Sequence, residues 1–190
     1  MANIPVPEID PASLQPTIRH LAERGALLNV FKMFLSAPEI GTALIEYGYA
    51  HLAHSTLSPV DREITILVTG RCCECEYETA QHEPISRAAG VTDRQRSAIA
   101  KRQWKSPAFT ESQIALIRFV VSILQSPTVP QETMDAIRSH YSDRQVVELV
   151  MLTGCYFTLA RVATAFDIEI DQQEDTRIID AATVIGRRTE

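Results

Sequence analysis

Apolar positions recur along this chain at the three-and-four spacing of a helix, and no segment alternates for long at the spacing of a strand. Ile114, Leu116, Ile117, Val120, Val121 and Leu124 form one wide apolar stripe. Further on, Val146, Leu149, Val150, Leu152, Cys155, Tyr156 and Val162, with Val147 and Leu159, cover a segment nearly all round, which predicts a helix central to the fold. Start signals sharpen the boundaries. Ser58 before Pro59 reads as an N-cap followed by proline at the first helical position. Thr92 with Gln95, Thr110 with Gln113, Thr128 with Gln131 and Ser142 with Gln145 fit the capping-box spacing. Gly25, Gly70 and Gly90 stand where helices are expected to stop. The resulting helices run over about 12–24, 27–36, 38–54, 59–71, 74–89, 93–102, 111–125, 129–139 and 143–166. The short run Ile168-Glu169-Ile170 is the one strand-like candidate, so the expected fold class is all-α.

A length of 190 residues suits one domain, taken as 1–166, followed by a tail at 167–190. The tail is polar, yet its Ile178, Ile179, Val184 and Ile185 suggest packing on a neighbouring subunit. The proline-bearing N-terminal arm, with Pro5, Pro7, Pro11 and Pro16, is expected to be extended. The 45% hydrophobic content is enough for a real core, and the net charge of −6 argues against a nucleic-acid binder. No unbroken apolar run approaches the ~18 residues of a membrane span. The first ten residues lack a secretory pattern, so the expected compartment is the cytoplasm, with reduced thiols.

The chemistry concentrates in one stretch. Arg62-Glu63 is followed, twelve positions after Glu63, by Cys75, and seven positions later by His82. Seven positions are about two helical turns, so Cys75 and His82 share a face, with Glu78 between them on that face. An antiparallel return after Gly70 would bring Glu63 alongside both. Cys75 is expected in the first turn of a helix, where unpaired N–H groups and the helix dipole favour a thiolate. His82 could hold or relay its proton, and Glu78 is placed to bridge the ~10 Å rise between them. Cys155, inside an apolar helix, reads as a small core residue, and Glu76 and Glu83 as solvated. Glu63 could instead form a plain ion pair with Arg62 or Arg87. Tyr156 is a phenol in the most apolar helix and needs a partner, either a backbone carbonyl or a substrate. Among the other histidines, His51 has the best case for a pocket role. Three of the four cysteines cluster at Cys72, Cys73 and Cys75 with no second ligand pair at a useful spacing, so no metal site is expected.

These residues resemble the carboxymuconolactone decarboxylase family, which shares its fold with the alkylhydroperoxidase D proteins. The resemblance rests on Arg62-Glu63, Cys75-Glu76-Tyr77-Glu78, His82 and Ala88-Ala89-Gly90-Val91-Thr92-Asp93, covers about 58–102, and extends to a closing helix with Glu148, Tyr156 and Arg161. It implies an all-α helical bundle that assembles as trimers or hexamers, with extended arms at both chain ends compatible with that. It also implies a small-molecule substrate and no cofactor. The departure is at Glu78, where the peroxidase branch carries its second cysteine. Cys72 and Cys75 offer an alternative pair one frame early. The decarboxylase branch does without the redox pair, so the resemblance implies Glu63 and His82 as the proton-transfer pair. Cys75 and Glu78 then shape the pocket or assist as a second acid. Tyr156, Arg62 and His51 are the candidate substrate contacts, with Arg71, Arg87 and Arg161 as further cations for an anionic substrate. The leading expectation is cofactor-free acid/base chemistry on a small organic acid, lactone or carbonyl compound. Its rivals are a thiol peroxidase or disulfide reductase using Cys75, and a non-catalytic small-molecule binder.

Overall fold

The computed structural model describes residues 4–171, so the apolar positions of the tail from Ile178 onward lie outside the described residues. Among the described residues there are nine α-helices, one short 3-10 turn at Pro11–Ser13 and no strand. Ile168-Glu169-Ile170 is accordingly irregular, with only Ile168 buried. The described residues divide between two compact units, one drawn from Met1–Ser55 with Val162–Glu190, the other Thr56–Arg161.

The first unit contains α1 (Pro16–Glu23), α2 (Asn29–Phe34) and α3 (Pro38–His54). Ile18 and Leu21 bury the inner face of α1, which ends before Gly25 in the left-handed region at φ 65°. Gly41 lets α3 approach the end of α2, because a Cβ there would lie 2.1 Å from the Phe34 carbonyl oxygen. The first N–H of α2, at Asn29, donates to the Asp171 carboxylate at 3.1 Å, which supplies an anion to a helix start that has no side-chain cap of its own.

The second unit contains α4 (Pro59–Cys72), α5 (Glu76–Ala89), α6 (Asp93–Ala100), α7 (Glu111–Gln125), α8 (Gln131–Arg138) and most of α9 (Asp143–Ala165). Ser58 caps α4 by accepting from the Asp61 N–H, with Pro59 at the first position as expected. The capping boxes at Thr92–Gln95, Thr110–Gln113 and Ser142–Gln145 are all formed. The one expected at Thr128 is not, because the N-cap of α8 is Pro130, two residues past the threonine. Gln95 Nε2 also donates to Gln113 Oε1 at 3.0 Å, which ties the starts of α6 and α7 together.

α4 is the central helix of this unit. Every residue from Glu63 to Gly70 is buried, and α5, α6 and α7 pack around it. Its Thr65 and Thr69 are tolerated there because each hydroxyl donates to the carbonyl one turn back. This corrects the expectation of a central role for α9. Leu149, Leu152, Tyr156 and Ala160 are buried, but Val147, Val150, Met151 and Phe157 are exposed, Val147 by 57%. α9 has the length and composition to cross a membrane, which the search for an unbroken apolar run missed because it carries scattered polar residues. Its most apolar window has mean hydropathy 1.5 and is 44% buried within the protein. Core helices of globular proteins share those properties.

α4 and α5 are joined by Cys73, Glu74 and Cys75. Glu74 is left-handed at φ 56°, a position usually held by glycine. The Cys75 N–H donates to the Gly70 carbonyl and the Glu74 N–H to that of Arg71, the two bonds of a Schellman ending. α6 ends the same way at Arg102, φ 54°. The two endings hold each other: Arg102 donates to Glu74 at 3.0 Å and to the Arg71 carbonyl, and Arg71 donates to the Ala100 carbonyl. Gly70, expected as the stop of α4, is therefore two residues inside it.

Candidate functional site

The tight α4–α5 turn sets the two helices side by side, and this brings Glu63 to His82. His82 Nδ1 lies 2.8 Å from Glu63 Oε2. Glu63 is 0% exposed and His82 8%, so the pair is shielded from water. A carboxylate only accepts, so against an ionised Glu63 it is Nδ1 that donates, and in the neutral imidazole of that tautomer Nε2 holds the lone pair. The Tyr156 ring meets the His82 ring edge-on, 5.1 Å between centroids, and packs against the imidazole. Burial, and then the Glu63 carboxyl, push the Tyr156 hydroxyl well above its ordinary value.

Arg62 Nε lies 3.6 Å from Glu63 Oε1, too far for a direct hydrogen bond, and neither atom has a hydrogen-bond partner among the described residues. An unmet donor facing an unmet acceptor at that separation suits one bridging group that both accepts and donates, such as a hydroxyl or a water. Arg71 and Arg87 are engaged elsewhere, with the Ala100 carbonyl and with Glu83 respectively. Glu83 is not simply solvated, since it also binds Arg96. Arg161 is exposed and lies over the Phe157 ring at 5.0 Å.

Glu78 is one helical turn before His82 and 1% exposed, and neither of its carboxyl oxygens has a hydrogen-bond partner among the described residues. Burial raises its carboxyl well above the ordinary glutamate range, which favours the protonated form. The room for it comes from Gly70, where an added Cβ would lie 2.9 Å from Glu78 Oε2.

Cys75 is the N-cap residue of α5 rather than a residue of its first turn, and is 2% exposed. Its thiol is pushed up to about 11. Burial is the main cause, opposed by the backbone N–H groups of Glu78 and Tyr77 and reinforced by the Glu78 carboxyl. The expected thiolate is thus corrected: the helix start does favour charge there, but desolvation outweighs it. Burial likewise raises Cys73 to about 11 and Cys155 to about 12, and the Glu78 carboxyl adds to both. Cys155 is a core residue as expected, and also a neighbour of Glu78. No group of three or more His, Cys, Asp or Glu among the described residues is arranged to hold a metal ion.

Glu63, His82, Tyr156 and Arg62 therefore form one cluster, and Glu78, Cys73, Cys75 and Cys155 a second beside it. His51 belongs to the first unit, where it is buried with its ring edge-on to Tyr47 at 4.8 Å. Sequence reading places Cys73 in the cysteine cluster without a site role, and misses the role of Gly70. The available signal for Cys73 was its two-residue spacing from Cys75. None existed for Gly70, whose role is set by a side chain on another helix.

Residues 38–120 match the carboxymuconolactone decarboxylase family, so the resemblance read from the motif holds and extends into α3 and α7. The fold is similar to that of a peroxidase-related protein from Ralstonia eutropha with an alkylhydroperoxidase D core, at a TM-score of 0.75 and 21% identity, covering 98% of this chain and 96% of that one. A similar peroxidase-related protein from Silicibacter sp. gives 0.74 at 19% identity, covering 90% and 92%. The debrominase Bmp8, in a cysteine-to-alanine variant bound to 2,3,4-tribromopyrrole, gives 0.74 at 17% identity, covering 98% and 97%. No curated protein matches the sequence.

Proposed function

We propose that this chain, carrying a carboxymuconolactone decarboxylase family match over residues 38–120, is an enzyme that moves protons on a small organic acid, lactone or related carbonyl compound. The observation that carries this reading is the buried 2.8 Å hydrogen bond between Glu63 and His82. With Nδ1 held by Glu63, His82 Nε2 is the general base, taking a proton from a carbon next to a carbonyl and returning it at another position or after loss of carbon dioxide. Glu63 orients the ring and offsets the charge the imidazole gains. Arg62, with its unmet Nε donor, binds a substrate oxygen beside that base. Tyr156 packs the imidazole and closes the site to water. Glu78 serves as a neutral acid reserve, with Cys75 as wall. Such chemistry draws on side chains alone and uses neither metal nor organic cofactor. The reading also includes self-association through chain surfaces left apolar.

The test is hydrogen–deuterium exchange at carbon, followed by NMR in D2O, over a panel of small carboxylated lactones and 2-oxo acids. At least one compound is expected to exchange with the wild-type chain. His82→Ala is expected to slow that exchange by roughly 10²–10⁴-fold, the usual contribution of a positioned general base. Unchanged exchange in His82→Ala defeats the mechanism.

A further inference from the structure

We infer that the cleft between α6 and the loop that follows it is a binding site for a small phosphate monoester, separate from the Glu63–His82 cluster. The cavity holds about 590 Å³, within the ~300–1,000 Å³ usual for small-molecule sites. One wall is α6, which lines the space with Arg94, Ser97 and Ala98. Arg94 and Ser97 are three positions apart and so share a face of that helix. The other wall is the loop, through Gln103, Pro107 and Ala108. No residue of the Glu63–His82 cluster lines this cavity.

The loop wall is held by its own backbone. After the left-handed Arg102, the Gln103 N–H donates to the Ala98 carbonyl at 2.8 Å, which folds the chain back on α6. The Ser106 N–H then donates to the Gln103 carbonyl at 3.0 Å, and the Phe109 N–H to that of Ser106 at 3.1 Å. The Ala108 N–H donates to the Ser106 hydroxyl at 3.3 Å, and the buried Phe109 anchors the far end. Such a wall is in place before a ligand arrives, which lowers the ordering cost of binding.

Charge selects the ligand. Residues 94–110 carry Arg94, Arg96, Lys101, Arg102 and Lys105 and no acidic residue, in a chain whose net charge is −6. The one carboxylate lining the cavity, Asp93, is bound by Arg96, which also holds Glu83 and the Val91 carbonyl. Arg94 is exposed and its guanidinium has no partner among the described residues; the Ser97 hydroxyl and the Gln103 amide have none either. A guanidinium fork, a hydroxyl and an amide thus offer donors from two walls of one cavity. A phosphate monoester brings three terminal oxygens and close to two negative charges at neutral pH, whereas a carboxylate brings two oxygens and one charge. Ala98, Pro107 and Ala108 give the carbon body of the ester an apolar surface to lie on.

Trp104 is the single tryptophan of the chain and lies in the loop between Gln103 and Ser106, so it reports on this site. The experiment titrates the full chain with ribose 5-phosphate, follows tryptophan fluorescence and repeats the titration by calorimetry. Saturable binding is expected, with inorganic phosphate weaker and ribose inert. Arg94→Ala is expected to weaken binding roughly tenfold or more, the usual loss on removing a hydrogen bond to a charged group. Lys101→Ala, in the same basic segment but outside the cavity, is expected to leave binding unchanged. No saturable signal by either method up to about 10 mM overturns the proposal. So does an equal loss in Lys101→Ala and Arg94→Ala, which would mark diffuse attraction to basic surface. Equal affinity for inorganic phosphate overturns the assignment to an ester.

Discussion

Glu78 shows how a single side chain departs from what local sequence suggests. Both of its oxygens are buried without a hydrogen bond, which is tolerable for a neutral carboxyl and costly for a charged one. Its folded-state affinity for a proton is raised, so it stabilises the fold fully below the unfolded glutamate value of about 4.5 and loses that contribution as pH rises through the folded value. Above pH 4.5 the folded chain keeps a proton that the unfolded chain gives up. Wild-type stability should therefore fall, relative to Glu78→Gln, by up to ~1.4 kcal/mol per pH unit. Urea unfolding of both proteins at pH 5, 6, 7 and 8 measures this, and parallel pH curves would contradict it. The proximity of Glu63 and His82 was readable because it depends only on helix spacing and an antiparallel return. The protonation of Cys75 was not. A helix start is a local signal favouring charge, whereas the burial that overrides it comes from residues distant in sequence.

Helices and their ends were legible where the signal is local. Three of the four capping boxes form as read, since a cap needs only residues three apart. The failures are those in which a neighbour decides. Gly70 was read as a terminator, but it lies within α4 to make room for the Glu78 carboxyl. The true terminator, Glu74, is left-handed without being glycine and is held by Arg102, 28 residues further along the chain at the end of α6. A left-handed non-glycine residue costs about 1–2 kcal/mol, and the exposed ion pair with Arg102 returns little of it. Glu74→Gly is accordingly expected to stabilise the chain by about 1 kcal/mol, read as a higher urea midpoint at unchanged slope. A lowered midpoint would show that the Arg102 contact contributes more than exposed pairs usually do.

For the molecule as a whole, the all-α class and the family match over residues 38–120 followed from pattern and motif, but the identity of the central helix did not. α4 and α9 are both rich in apolar residues, and only packing reveals that α4 is enclosed while α9 leaves Val147, Val150, Met151 and Phe157 outside. Those four recur at three, one and six positions, and Gly154 between them has nothing within 4 Å of an added Cβ. The face is thus apolar and flat at its middle, which suits close approach of a second helix. The chain is expected to sediment as an oligomer, and Val150→Glu combined with Phe157→Glu to shift it toward the monomer with its helix content intact by circular dichroism. A wild-type chain that is monomeric at tens of micromolar would remove this expectation.

The niche that Gly70 opens in α4 has a bearing on how such a protein could change trade. Replacing Glu78 by cysteine would restore the two-thiol spacing of the peroxidase branch, yet the smaller side chain would leave a void where the carboxyl had lodged. Refilling that void is then a matter of two coupled changes, Glu78→Cys with Gly70→Ala. Either substitution taken alone leaves the niche worse packed, so the two together are expected to cost less than the sum of the singles.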